Sequence, residues 1–182
     1  MPASATNIKF TYQDYLLLPE DKRYELIEGE LFMVPAPAPY HQEVSKNLFL
    51  ALNSYIESKK LGKVYYAPLD VVLSDKDVVQ PDILFISRQR LSIITKKNIR
   101  GAPDLIIEIT SSTTRKRDGV LKRKLYAKFG VKEYWLVDIE KGEVEVLSLG
   151  EKGFERVGLY NRDETLSSPL LENLRIALSE IF

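Results

Sequence analysis

The sequence predicts an α/β fold in which a mixed central sheet is covered by helices. Three observations carry that prediction. Two segments, 40–60 and 118–130, repeat apolar residues at helical spacing. Three short runs rich in β-branched and aromatic residues lie between them, and a fourth follows the second. The resulting order is helix, three strands, helix, strand, with helices long enough to cover a sheet.

The elements follow in chain order. Thr11 to Leu18 reads as a short helix capped by Thr11. Residues 24–34 alternate around Gly29 as a hairpin, an N-terminal addition to the core. Pro35-Ala-Pro-Ala-Pro39 is a stiff spacer that disfavours helix and strand alike. Val44, Leu48, Ala51, Leu52, Tyr55 and Ile56 then form the stripe of the first long helix, which Gly62 ends. Val64 to Leu73 reads as one strand, with a turn at Asp75-Lys-Asp77, and Asp82 to Ile86 as the second. Leu105 to Thr110 is the third, apolar on both faces and therefore covered on both. Leu121, Leu125 and Phe129 define the second long helix, and Tyr134 to Asp138 is the fourth strand, with Trp135 in the core. Glu143 to Leu149 and Phe154 to Tyr160 pair as a hairpin, and Leu170 to Phe182 closes the chain as a strand or short helix, giving a β-rich tail.

A length of 182 residues suits one core, so one domain is expected over 1–182, with its core at about 24–138 and an extension at 143–182. The absence of cysteine excludes disulfides, thiolate zinc sites and a thiol nucleophile. No apolar run is long enough to span a bilayer and the first ten residues do not read as a signal peptide, so a cytoplasmic protein with no membrane partner is expected. Twenty-six basic and 26 acidic residues cancel, which argues against binding nucleic acid by bulk charge. Their distribution says more. Between Arg88 and Lys132 stand 13 basic residues against Asp104, Glu108 and Asp118.

The chemistry centres on two acids. Glu108 interrupts an otherwise apolar strand, where a carboxylate is costly to bury without a partner or a metal. Asp82 poses the same question after Pro81, which suits a strand start because it donates no ladder hydrogen bond. On neighbouring strands the two could hold one hard cation such as Mg²⁺ or Mn²⁺, or could simply cap amides and pair with arginine. Glu30, in the hairpin with Glu25 and Glu28, is the first candidate for an extra metal ligand.

Pro81-Asp82 followed by Glu108-Ile-Thr110 resembles the PD-(D/E)XK nuclease superfamily, with Thr110 standing where that pattern has its lysine. The wider text resembles the Uma-two family of restriction-endonuclease-like proteins: Tyr24-Glu-Leu-Ile-Glu-Gly-Glu30, His41, Pro103-Asp-Leu-Ile-Ile-Glu-Ile-Thr-Ser111, Asp118 with Lys122 and Tyr126, and Gly130-Val-Lys-Glu-Tyr-Trp-Leu-Val-Asp138. The likeness covers about 24–138. It implies a restriction-endonuclease-like fold, Mg²⁺- or Mn²⁺-dependent hydrolysis of DNA, and a catalytic lysine moved onto the following helix, which is Lys122 here. A helix packed on the same sheet could turn Lys122 back toward the metal, with Asp118 and Tyr126 one turn either side.

Arg115, Lys116, Arg117 and Lys124 are candidates for tracking phosphates beside such a site, or form an ordinary solvated face. His41, the only histidine, is expected to play a structural part at the start of its helix. Ser111-Ser-Thr-Thr114 is read as a cap or turn. Two rivals stay open. One is a non-catalytic module of the same fold that binds nucleic acid. The other is an assembly subunit, for which the tail from Phe154 onward could carry a homodimer contact.

Overall fold

The computed structural model describes residues 8–112 and 114–182; residues 1–7 and Thr113, the third member of the 111–114 run, lie outside them. Thr11 caps α1 (Tyr12–Tyr15) reciprocally, its hydroxyl accepting from the Asp14 amide while the Asp14 carboxylate accepts from the Thr11 amide. The predicted hairpin forms from β1 (Arg23–Ile27) and β2 (Glu30–Val34). Its turn places both Glu28 and Gly29 at positive φ, 51° and 77°, as a two-residue connection requires.

Helix α2 (Pro39–Lys59) buries the predicted stripe of Val44, Leu48, Leu52 and Ile56. Lys60 takes the left-handed cap position, so Gly62 is not the terminator. It opens β3 (Gly62–Tyr66), where a Cβ would meet the Ile86 carbonyl oxygen at 2.0 Å and only glycine permits the approach. The single strand expected over 64–73 is two. The chain leaves β3 near Ala67-Pro68 and enters β4 (Val71–Ser74) in a different sheet. β5 (Asp77–Val79), β6 (Ile83–Ser87), β7 (Ile99–Arg100) and β8 (Leu105–Thr110) follow. The second long helix, expected over 118–130, is a π-helical turn (Arg117–Lys122) running into α3 (Arg123–Lys128). β9 (Glu133–Asp138), the hairpin β10 (Glu143–Gly150) with β11 (Gly153–Asn161), and the short pair β12 (Thr165–Leu166) with β13 (Ile176–Ala177) complete the order.

The strands build two main sheets. A six-stranded sheet runs β11-β10-β9-β8-β6-β3, and a five-stranded one β2-β1-β5-β4-β7. The first is mixed, since β8 and β9 are parallel while β6 and β8 are antiparallel. Alternation along β8 assigns its two faces as the sequence implies. Leu105, Ile107 and Ile109 pack with the α2 stripe, whereas Ile106 packs with Leu125, Tyr126 and the second sheet. The six-stranded sheet thus lies between α2 on one side and α3 with the smaller sheet on the other. The hairpin β1–β2 is an integral part of that smaller sheet.

The tail is spent internally. Leu166, Leu171, Leu174, Ile176, Leu178 and Ile181 are buried in the core that α2 covers. Glu133, at the start of β9, accepts from Trp135 Nε1 (2.7 Å), Ser168 Oγ (2.6 Å) and the Leu170 amide (2.9 Å), which clasps the tail to the sheet. These residues of the tail serve the chain's own core, while Val157 and Leu159 of the same tail stay exposed. Among the described residues no helix is long and apolar enough to cross a membrane.

Candidate active site

The antiparallel register of β6 and β8 brings Asp82 and Glu108 together. Ile83 pairs with Ile107, so the next step of the same register sets Asp82 across from Glu108. Residues opposed in this way have Cβ atoms about 4.5–5.5 Å apart. Asp82 Oδ2 accepts from the Ile109 amide at 2.7 Å, which ties it to the residue after Glu108. Both acids line one cleft of about 1210 Å³, together with Glu25, His41, Gln80, Arg117, Asp118 and Lys122.

Lys122 is buried on the floor of that cleft. Its Nζ lies 2.8 Å from Glu25 Oε1, 3.0 Å from Glu108 Oε1 and 3.5 Å from Asp118 Oδ1. Burial opposes its charged form, yet the carboxylates of Glu108, Glu25 and Asp118 outweigh burial and hold the ammonium above its ordinary value. Tyr126 donates to Glu108 Oε1 at 2.6 Å, and Tyr134 donates to the Asp118 carbonyl at 3.1 Å. Burial pushes the Glu108 carboxyl well above the usual range; Lys122 opposes this, and Asp118, Asp82 and Glu25 add to it. Asp118 is likewise raised, first by burial.

Among the buried groups, three carboxyls, Glu25, Glu108 and Asp118, surround the single ammonium of Lys122, with Arg117 3.6 Å from Asp118 and His41 3.5 Å from Asp82 at the partly exposed margin. Glu25 Oε2 and Gln80 Oε1 are buried acceptors with no donor. Such a surplus of carboxyl oxygen fits a hard divalent cation with its waters. Among the described residues no group of three or more His, Cys, Asp or Glu side chains is placed to hold a metal ion together, so any cation here would rest on two protein carboxylates and its own waters.

The other sequence candidates distribute unevenly. Glu30 stands exposed at the turn end of β2, paired with Lys9 at 2.8 Å, and does not line the cleft. Glu25 is the hairpin carboxylate that reaches the site, because it shares with Ile27 the face of β1 turned to the core. That alternation was present in the sequence, but Tyr24 and Leu26 made the opposite face equally apolar. His41 lies within the site as well. Its Nε2 sits 3.1 Å from the Ile109 carbonyl and 3.5 Å from Asp82 Oδ1. Burial lowers the imidazole, but Asp82 and that carbonyl outweigh it and leave His41 above its ordinary value. Arg117 lines the cleft, Lys116 is exposed on the same turn, and Arg115 pairs with Asp138. Lys124 faces a different groove, between α3 and the β10–β11 turn. In the 111–114 run the Thr114 hydroxyl accepts from the Ser111 amide at 3.2 Å, a turn role as expected.

A mixed sheet covered on both faces, with acids from two neighbouring strands and a lysine from the next helix at one end, defines an α/β protein of the restriction-endonuclease-like class. The chain belongs to the Uma2 family, described as "Putative restriction endonuclease", which it matches over residues 12–179. The match extends beyond 24–138 at both ends and takes in the clasped tail. Among solved structures the chain is similar to one described as "a putative nuclease belonging to DUF820 from Anabaena variabilis ATCC 29413", at a TM-score of 0.79 and 22% identity, covering 95% of this chain and 97% of that one. At that identity the likeness bears on the fold. No curated protein matches the chain.

Proposed function

We propose that the protein is a Mg²⁺- or Mn²⁺-dependent endonuclease hydrolysing DNA phosphodiester bonds, acting in the cytoplasm. The observation that carries the reading is the buried surplus of carboxylate opposite Lys122, with the unpartnered oxygens of Glu25 and Gln80 beside it. Asp82 and Glu108 would hold the cation, and Glu25 rather than Glu30 is the hairpin carboxylate lining their cleft. A bound divalent cation supplies neutralisation of the scissile phosphate and a more acidic water. Lys122, fixed as a cation, orients Glu108 and stabilises negative charge developing on the phosphate. His41 steadies Asp82 from the α2 side. Arg117 at the cleft wall and the exposed Lys116 beside it would contact flanking phosphates, with Arg115 released from Asp138 as a further contact.

Family membership supports the nuclease reading. The non-catalytic alternative has one observation in its favour: Lys122 is already matched by three carboxylates, as a purely structural lysine would be. Titration calorimetry with Mn²⁺ and cleavage of labelled DNA, on the parent and on Asp82→Asn and Glu108→Gln, separate the two. Metal uptake and cleavage should both be lost in each variant while the melting transition persists. Undiminished cleavage in both variants, or salt-dependent DNA binding with no metal uptake by the parent, would defeat the proposal.

A further inference from the structure

We propose that the substrate of this cleft is an unpaired DNA strand, whose bases stack on an apolar shelf beside the acids; the inference rests on the nuclease reading above. The cleft is divided in character. Its floor holds the buried acids and Lys122. Its lining also includes Met33, Leu50 and Tyr66, which leave 61%, 57% and 60% of their surface open. Large apolar side chains left exposed along one cleft mark a binding surface. The Tyr66 ring is braced from behind by Phe49, edge-on with ring centroids 4.7 Å apart at 70°, so it presents a fixed face.

Two features choose the occupant. Duplex DNA offers a convex, charged exterior and hides its base faces, and the surfaces that grip it are polar and strongly basic. Here the acids lie at the bottom of a pocket larger than the roughly 300–1,000 Å³ that engulfs a small ligand, so a phosphate must enter to reach them. A single strand can enter. Its backbone would meet the exposed Lys22 and Lys46 at the rim, where Asp21 is the one exposed acid, and its unstacked bases would find the Tyr66 shelf. Basic rim, aromatic wall and acidic floor correspond to backbone, base and scissile phosphate of one extended strand.

The test is fluorescence anisotropy in EDTA with three probes of one sequence: a labelled 20-nucleotide single strand, the blunt duplex, and the duplex with a central unpaired bubble. The single strand and the bubble should bind at least about tenfold more tightly than the duplex. Tyr66→Ala should weaken single-strand binding by about fivefold or more, the scale of one lost base stack. Tyr66→Trp should retain it. The salt dependence should be unchanged by Tyr66→Ala but shallower in Lys46→Ala, because only the second removes a phosphate contact. Equal affinity for duplex and single strand, or equal loss of both in Tyr66→Ala, overturns the inference. So does light scattering that shows a dimer abolished by Tyr66→Ala, since a second copy would then cover the shelf. Mn²⁺-dependent cleavage confined to duplex overturns this inference and leaves the nuclease reading intact; no cleavage of any probe sinks that reading itself.

Discussion

Replacing Lys122 by methionine keeps the length and packing of the stem and removes only the charge. The variant is expected to stay folded but to lose stability. In the parent, the ammonium is the partner of Glu25 at 2.8 Å, Glu108 at 3.0 Å and Asp118 at 3.5 Å, all buried. Breaking a buried pair by removing one partner costs about 3–5 kcal/mol, because the remaining charge stays out of water. For a chain of this size each kcal/mol moves the melting temperature by about 2–4 °C, so Lys122→Met should melt roughly 6–20 °C below the parent in EDTA at pH 7. Circular dichroism measures it directly. Added Mn²⁺ at a hundred times its dissociation constant should return about 2.7 kcal/mol, and the variant should reach that point at lower Mn²⁺ than the parent because its floor carries one more uncancelled negative charge. A variant melting within about 2 °C of the parent would refute the reasoning, since less than about 1 kcal/mol would then rest on Lys122.

Three further outcomes are expected. Glu133→Ala strands the Trp135 indole N–H, the Ser168 hydroxyl and the Leu170 amide at about 1–3 kcal/mol for each buried group left unpaired, and limited proteolysis should then release the tail after Asn161 well before the rest of the chain is cut. Asp104→Asn weakens contacts with Lys132 (2.7 Å) and the Ser87 amide (2.8 Å) and should cost about 1.5–3 kcal/mol at neutral pH, toward the low end because Lys132 stays half-exposed. That difference should depend on pH. Burial raises the Asp104 carboxyl, but Lys132 and the Ser87 amide more than offset it and leave it below its ordinary value of 3.8. A depressed carboxylate stabilises the fold above its unfolded value and loses that contribution as pH falls through the folded value, so the two melting temperatures should converge below about pH 4.

How far the sequence spoke can be read from particular residues. Periodicity exposed α2 and the two faces of β8, because apolar burial on one stripe or on alternate positions leaves a direct trace. It could not show that 64–73 divides between two sheets, since both halves are β-branched and the division depends on where the chain turns after Tyr66. Nor could it rank Glu25 above Glu30. Both lie in one hairpin, and only the packing of β1 against β5 and α3 decides which carboxylate is buried. His41 looked like an end-of-helix residue, and its meeting with Asp82 is a contact between elements distant in the chain. Lys124, two residues from Lys122, fell on the opposite side of its helix from the cleft, a distinction a basic run does not encode.

The π-helical turn is the one local irregularity that bears on the chemistry. It spans Arg117–Lys122 and contains the buried Asp118 and Lys122. Such turns fit an extra residue into the helix at the expense of regular hydrogen bonding, and they concentrate at functional sites. Here the turn delivers Lys122 to the same Glu108 oxygen that Tyr126 reaches from the regular helix beyond it, at 3.0 and 2.6 Å. Two donors from one helix on a single carboxylate oxygen leave the other oxygen of Glu108 free of them and fix its direction. The irregular turn and the buried charges therefore stand or fall together: the turn brings a cation into an acidic pocket, and the pocket's carboxylates are what make a buried lysine stable there.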